Sequence, residues 1–160
     1  MADAGADFRS GPASGKGATE VAEVSERYAR GRAIRNASYG TEGVKYWEQL
    51  KEICPTHAHS IHEYVFGTIW DRPILDIKTR HLMTIAIGVS LDATGEVMQH
   101  TRGALNNGAS RDEVVETILH CAPYVGFPRT NHALRAAKSV FDQWEERRAE
   151  WKPLHSEAAE

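Results

Sequence analysis

Almost everywhere between its two ends this chain repeats its apolar residues at three- and four-residue intervals. No segment alternates at a period of two between turn residues. That pattern predicts helices and excludes a sheet, so the fold class expected is all-α. A first helix is expected from about Glu20 to Ala37, broken near Tyr39-Gly40, and a short one over Tyr46–Ile53 stops before Pro55. Another spans about Thr56–Trp70 and is stopped by Asp71-Arg72-Pro73. Asp76 is placed to cap a helix running to Leu91. Apolar residues lie nearly all round its RHLMTIAIGVSL run, which predicts a central buried helix. Thr94 is placed to cap a helix ending at Asn106-Asn107-Gly108, where glycine supplies the left-handed stop. Ser110-Arg111-Asp112-Glu113 reads as a capping box opening a helix that ends before Gly126-Phe127-Pro128. A last helix covers about Arg129–Arg148. These six to seven helices make one domain, residues 19–150, which suits a chain of 160 residues. Residues 1–18, rich in Gly, Ala and Ser, cannot repay ordering entropy by burial and read as a disordered arm; residues 151–160 read as a tail.

Charge and cysteine usage narrow the function. A net charge of −3 is no electrostatic footprint for nucleic acid or an anionic membrane surface. No run approaches the ~20 apolar residues of a membrane span. The opening MADAGADFRSG lacks the apolar core of a secretory leader. Cys54 and Cys121 cannot build a disulfide framework and fit a reducing compartment, so the location expected is the cytoplasm. Neither has a C-x-x-C partner, and Cys121 reads as a small core residue. No phosphate-binding glycine loop and no G-x-S-x-G elbow occurs. The partner expected is a small molecule.

The polar groups that fall on apolar helix faces are mostly imidazoles, of which the chain has eight. On the helix from Thr94, Val97, Thr101, Ala104 and Leu105 form the core-facing stripe, and His100 lies inside it. Glu96, four residues before His100, stacks on the same side. Burial raises a carboxyl pKa and lowers an imidazole pKa while mutual attraction opposes both, so such a pair can be poised for proton transfer near neutrality. The alternative is an ordinary surface pair. His81 shares a face with Ile77, Thr84, Ile85 and Gly88 and is expected to be buried or partly buried. Arg80 beside it could meet a substrate carboxylate bidentately, or cap a neighbouring helix end. His57, His59 and His62 form H-x-H-x-x-H. On a helix only His59 and His62 lie together, so no metal site is expected and these are read, like His155, as ordinary histidines. His120 falls at the edge of its helix's apolar line, and His132 near the start of the last helix.

Together these residues resemble the carboxymuconolactone decarboxylase family. The matching features are the Arg80-led apolar helix, the E-x-x-x-H of Glu96 and His100, and the A-x-x-N-G of Ala104 to Gly108. They continue with D-E-V-V-E at 112–116 and Y-x-G-x-P at Tyr124, Gly126 and Pro128, and upstream with W-x-R-P at Trp70 to Pro73. The resemblance covers roughly residues 25–145. It implies a helical domain assembled into trimers or hexamers, with active sites near subunit contacts. Alkylhydroperoxidase-type members carry C-x-x-C where this chain has Ala93 and Glu96, so dithiol peroxide reduction has no sulfur to use. Glu96 with His100 is similar to the decarboxylase branch, which converts γ-carboxymuconolactone to an enol-lactone without metal or organic cofactor. There His100 would donate a proton and Glu96 would orient its ring, with His81 as a third catalytic candidate. Arg80, Trp70, Tyr124, His120 and His132 are the candidate substrate-binding residues, Trp70 or His132 conceivably from a neighbouring subunit. His81 and His120 depart from the family pattern, where a small residue and a Gln are usual. That departure suggests a second reading, in which the scaffold isomerises, opens or rearranges another cyclic carbonyl compound in specialised metabolism. A third reading is a non-catalytic oligomeric ligand-binding protein.

Overall fold

A computed structural model describes residues 25–154. The expected disordered arm, the start of the first helix at Glu20, and the end of the tail with His155 lie outside the described residues. Helix α1 (Glu26–Ile53) opens on Ser25, whose side chain accepts from the Tyr28 N–H. It runs through Gly40, where the backbone takes φ 62° and kinks. The break expected near Tyr39-Gly40 is therefore there: Gly40, with ψ −156°, leaves helical geometry, and the span is two helices joined across a kink, the second of which carries the expected Tyr46–Ile53 helix. Glycine is needed here twice over: the positive φ disfavours any side chain, and a Cβ would run into the Lys152 carbonyl.

The single helix expected over Thr56–Trp70 is two elements. Helix α2 (Pro55–Ser60) passes directly into a π-helix (Ile61–Trp70). Its wider winding is carried by i→i−5 bonds such as Asp71 N–H to the Phe66 carbonyl at 2.9 Å. Then follow α3 (Ile77–Ser90), α4 (Thr94–Asn106), α5 (Arg111–Val125) and α6 (Phe127–Trp151), with no strand among the described residues. The Asp76 cap accepts from Thr79 N at 2.7 Å, and the Ser110–Glu113 capping box is formed in both directions. Thr94 is not a cap: Ala93 occupies that position and offers no side-chain bond.

Two clusters hold the fold. Ile85, Val89, Val97, Ala104, Val114, Ile118, Ala133, Ala137 and Val140 fill the space among α3, α4, α5 and α6. Tyr39, Phe66 and Trp70 form a second, aromatic cluster between α1 and the π-helix. Cys121 is buried, its thiol on the Thr117 carbonyl. Helix α3 is not buried all round: α4 and α5 cover one side, while Met83, Ile87 and Leu91 remain exposed on another. The tail boundary also moves, because Trp151 is 1% exposed and its indole N–H reaches Glu42. Asn106 ties the pieces together, donating from α4 to the carbonyls of Ser38 and Trp151.

Candidate active site

The site forms where the aromatic cluster meets the α3–α4 pair. His81, in the second turn of α3, is fully enclosed, and His100 on α4 is 7% exposed. Their Nδ1 atoms are 3.0 Å apart, so one ring donates and the other accepts. The contact requires Gly103, since a Cβ at that point of α4 would overlap the His81 ring. On its other side His100 turns Nε2 to Glu96 at 3.6 Å, an ion-pair distance. The i,i+4 stacking inferred from sequence thus holds, with one difference: the Glu96 side chain is 57% exposed and lies at the mouth of the site. The three groups form a row from the core outward, His81, His100, Glu96.

Aromatic rings wall this row in. Trp70 meets His81 edge-on at 4.7 Å between centroids and lies 5.8 Å from His100. The Tyr39 hydroxyl is 3.4 Å from His100 Nδ1 and 3.5 Å from Nε2. Phe66 backs both Tyr39 and Trp70. This apolar casing sets the charges. Burial, and then the neighbouring His100, push the His81 pKa well below the ordinary imidazole value, so His81 is held neutral. Its Nε2 has no partner among the described residues. The His100 imidazole holds the Glu96 carboxyl below the usual carboxylate range against a smaller desolvation effect. Burial raises the Tyr39 phenol far enough that it stays protonated.

A cavity of about 290 Å³ opens on this row from solvent. Tyr39, Glu96, Gln99 and Arg102 line it, with Glu42 and Tyr46 on the α1 side. Of the row, Glu96 lines it, beside Tyr39, whose hydroxyl lies against His100. The arrangement can hold one proton on a buried imidazole pair and exchange it at the cavity end.

The other residues singled out from sequence divide sharply. Trp70 belongs to the site, as a wall 8% exposed. Arg80 does not turn to the cavity: its guanidinium bonds the Arg72 and Leu75 carbonyls and fixes the turn before α3. Those carbonyls belong to the turn between the π-helix and α3, so the contact is neither the substrate role nor the helix-end cap weighed from sequence. Tyr124 is 76% exposed and pairs with His120 on α5. His120 lines a separate groove between α3 and α5. His132 pairs with Asp92 at 2.9 Å, at the opposite end of α3 from His81. Of the H-x-H-x-x-H histidines, His59 and His62 lie together against the Tyr28 ring, 4.8 and 4.9 Å from it between centroids, and His62 is not an ordinary surface residue. It is 1% exposed and stacked 4.7 Å from Trp47, with both ring nitrogens unpartnered among the described residues. Among the described residues no three His, Cys, Asp or Glu side chains converge as a metal site would need.

Sequence reasoning missed Tyr39, Phe66, Gly103 and Arg102. Tyr39 is read from sequence only as part of the break after the first helix, 61 residues before His100, and no local pattern announces that contact. Gly103 had a signal, an unexplained glycine inside a helix one turn after His100.

Comparison with known proteins covers the same part of the chain. Residues 55–139, which include the π-helix, His81, Glu96 and His100, match the carboxymuconolactone decarboxylase family. A 4-carboxymuconolactone decarboxylase of Acinetobacter baylyi is 36% identical over 117 residues, 72% of this chain and 87% of that protein. A nitrosuccinic acid decarboxylase of Metarhizium robertsii is 38% identical over 94 residues, 56% of this chain and 66% of that protein. A match over half the chain, and a relative spanned over most of its length, carry one conclusion: this protein belongs to the carboxymuconolactone decarboxylase family.

Proposed function

We propose that the protein is a carboxy-lyase acting on a small carboxylated molecule, with His100 as proton donor and no need of a metal or organic cofactor. The observation that carries this reading is the row His81–His100–Glu96, enclosed at one end and open to a cavity at the other. The two relatives named as decarboxylases support it. In the reaction the bond between the substrate carbon and its carboxylate breaks and carbon dioxide leaves. The electron pair passes into a conjugated carbonyl, and the carbon then takes a proton from the Nε2 side of His100. Glu96, ionised, stabilises the imidazolium before transfer, and neutral His81 fixes the ring by its Nδ1 contact. Solvent returns the proton through the cavity. The casing of Trp70, Phe66 and Tyr39 keeps bulk water from the buried end.

The test is turnover of γ-carboxymuconolactone, followed by ultraviolet absorbance and by carbon dioxide release. His100→Ala should lower kcat by about 10²–10⁴, the size of a general acid–base contribution. Undiminished product formation by that variant removes His100 as donor. A second reading is favoured by the His81–His100 contact itself, a doubled imidazole suited to moving protons next to a carbonyl. In that case a cyclic carbonyl compound is isomerised or opened with no carbon dioxide released. We further infer a homo-oligomer, supported by the exposed apolar stripe of α3, with trimer or hexamer being what the family resemblance implies and a cytoplasmic location what the cysteine usage suggests.

A further inference from the structure

Protonating carbon is only part of the chemistry, because the charge that decarboxylation sends onto an oxygen needs a donor of its own. In an enolate the carbon that takes the proton and the oxygen that holds the charge are about 2.4 Å apart. A donor for that oxygen must therefore stand close to the His100 nitrogen that delivers the proton. The Tyr39 hydroxyl stands there, 3.4 Å from His100 Nδ1 and 3.5 Å from Nε2. The ring lies against it without using its proton. Nδ1 is engaged with His81 at 3.0 Å, and Nε2 faces Glu96. In the charged form that donates, both nitrogens of His100 carry hydrogen, so neither can accept from the phenol. Among the described residues the hydroxyl donates to no carbonyl or carboxylate, and Tyr39 lines the cavity.

The surroundings suit it to that task. Burial holds the phenol protonated well above neutrality, which keeps it a donor. The Gln99 side chain, the largest influence in the opposite direction, hydrogen-bonds the phenol oxygen and favours its charged form. An amide N–H is therefore turned to that oxygen, leaving the O–H free and strengthening it as a donor. The ring is fixed: Tyr39 is 4% exposed, with Phe66 and His81 edge-on at 6.2 and 5.5 Å between centroids. A donor held in place before the charge arrives needs no reorganisation as it forms.

We propose that the Tyr39 O–H, backed by Gln99, is the oxyanion donor of this site, and that it selects carboxylates conjugated to a carbonyl. The electron pair of the broken carbon–carbon bond ends on the carbonyl oxygen, which takes the phenol hydrogen bond. The phenol keeps its proton throughout; the proton that goes to carbon comes from His100. The contact strengthens as charge develops, so it acts on the transition state more than on the bound substrate. The substrate class rests on the carboxy-lyase reading, whereas the oxyanion contact does not depend on turnover.

The experiment is a spectrophotometric titration of 4-nitrophenol with the full chain, at a pH below that phenol's own pKa, for wild type, Tyr39→Phe and Gln99→Leu. Its anion is a stable oxyanion that absorbs at longer wavelength than the neutral form. With wild type the anion's band should grow as protein is added. Tyr39→Phe should weaken anion binding about 10–100-fold, the size of one hydrogen bond to a charged group, and Gln99→Leu should weaken it less. No anion band with wild type, or equal affinity in Tyr39→Phe, overturns the proposal. Where Tyr39→Phe does not fold, the ¹³Cζ resonance of Tyr39 in wild type decides. It should move with 4-nitrophenol and not with nitrobenzene, and a resonance unmoved by 4-nitrophenol overturns the proposal. With γ-carboxymuconolactone, Tyr39→Phe should lower kcat by about 10²–10³ and leave KM nearly unchanged. An undiminished kcat overturns the catalytic role. Failure of the carboxy-lyase reading looks different: no carbon dioxide from wild type, with the dependence of anion binding on Tyr39 intact.

Discussion

His62 shows most plainly how one side chain ties stability to solution conditions. It is sealed between Trp47 and Tyr28, and burial, with Arg35, Arg32 and His59 adding to it, pushes its pKa down to about 3. In the unfolded chain the same imidazole titrates near 6.5. Below that value the unfolded state binds a proton that the folded state refuses, so stability falls as pH drops from about 6.5 toward 3. The slope is about 1.4 kcal/mol per pH unit for each such group. His81 acts in the same direction, being held neutral by its burial and by His100. Urea unfolding of wild type between pH 7 and 4.5 should therefore steepen below about 6.5. His62→Phe, which keeps an aromatic ring against Trp47, should make that dependence shallower by about 1.4 kcal/mol per pH unit. An identical slope in the two proteins would mean that His62 is protonated in the fold. A second residue-scale test concerns Gly103. Its lack of a side chain is what lets His81 approach α4, so Gly103→Ala should displace the ring and break the Nδ1–Nδ1 contact. A rise of the depressed His81 pKa in an NMR titration is the expected signature, at a stability cost of about 1–3 kcal/mol for overpacking.

Among the elements, the crossing of α1 and the π-helix determines whether the site exists. Two glycines make it: a Cβ at Gly31 would strike the His62 carbonyl, and one at Gly67 would strike the Arg27 carbonyl. Backbone thus lies on backbone, and this close approach brings Tyr39 from α1 against Phe66. The same π-helix carries Trp70 to the histidine pair. Gly67→Ala should force the crossing apart, with a loss of about 1–3 kcal/mol and a weakened near-ultraviolet signal from the aromatic cluster. Gly95→Ala is the matched control, because nothing lies within 4 Å of the added methyl, and it should be neutral or stabilising. These elements also show what a sequence can carry. The starts of α3 and α5 and the end of α4 were legible, since Asp76, the Ser110–Glu113 box and Gly108 write those boundaries locally, while the α4 start, capped at Ala93 and not Thr94, was not. Glu96 and His100 were legible because their relation is one turn of a single helix. The π-helix was not, because apolar spacing alone does not separate i→i−5 from i→i−4 winding. Nor was Tyr39, whose partner lies on another helix. Arg80 misled for a related reason: a guanidinium beside a buried histidine looks available until the turn carbonyls it bonds are in view.

At the scale of the whole molecule, the surface is what a lone chain explains least well. Met83, Ile87 and Leu91 repeat at four-residue intervals on α3 and are 50%, 55% and 72% exposed. Beside Met83 runs a groove of about 490 Å³ between α3 and α5, lined by Leu82, Ala86, Thr117 and His120. Monomeric soluble proteins rarely leave large contiguous apolar patches in water. A second copy is the occupant proposed above, and the exposed apolar side chains of α3 are the row it would cover. This would also explain why the RHLMTIAIGVSL run reads as a helix buried on every side: its outer face is written for a subunit contact. Ile87→Glu puts a charge in the middle of the stripe without touching His81, whose ring lies on the opposite, core-facing side. Light scattering after size exclusion should give wild type a mass that is a multiple of 17.8 kDa and the variant the single-chain value. Far-ultraviolet circular dichroism should be unchanged, separating lost assembly from lost fold. If the wild type itself elutes at 17.8 kDa at micromolar concentration, the stripe is free in solution and the inferred assembly is wrong. Activity measured on the same fractions then decides a further point. A dissociated variant that keeps full kcat means that each chain holds a complete site, from His81 out to Arg102. A fall in kcat on dissociation, restored at high protein concentration, means that the neighbouring subunit closes the cavity.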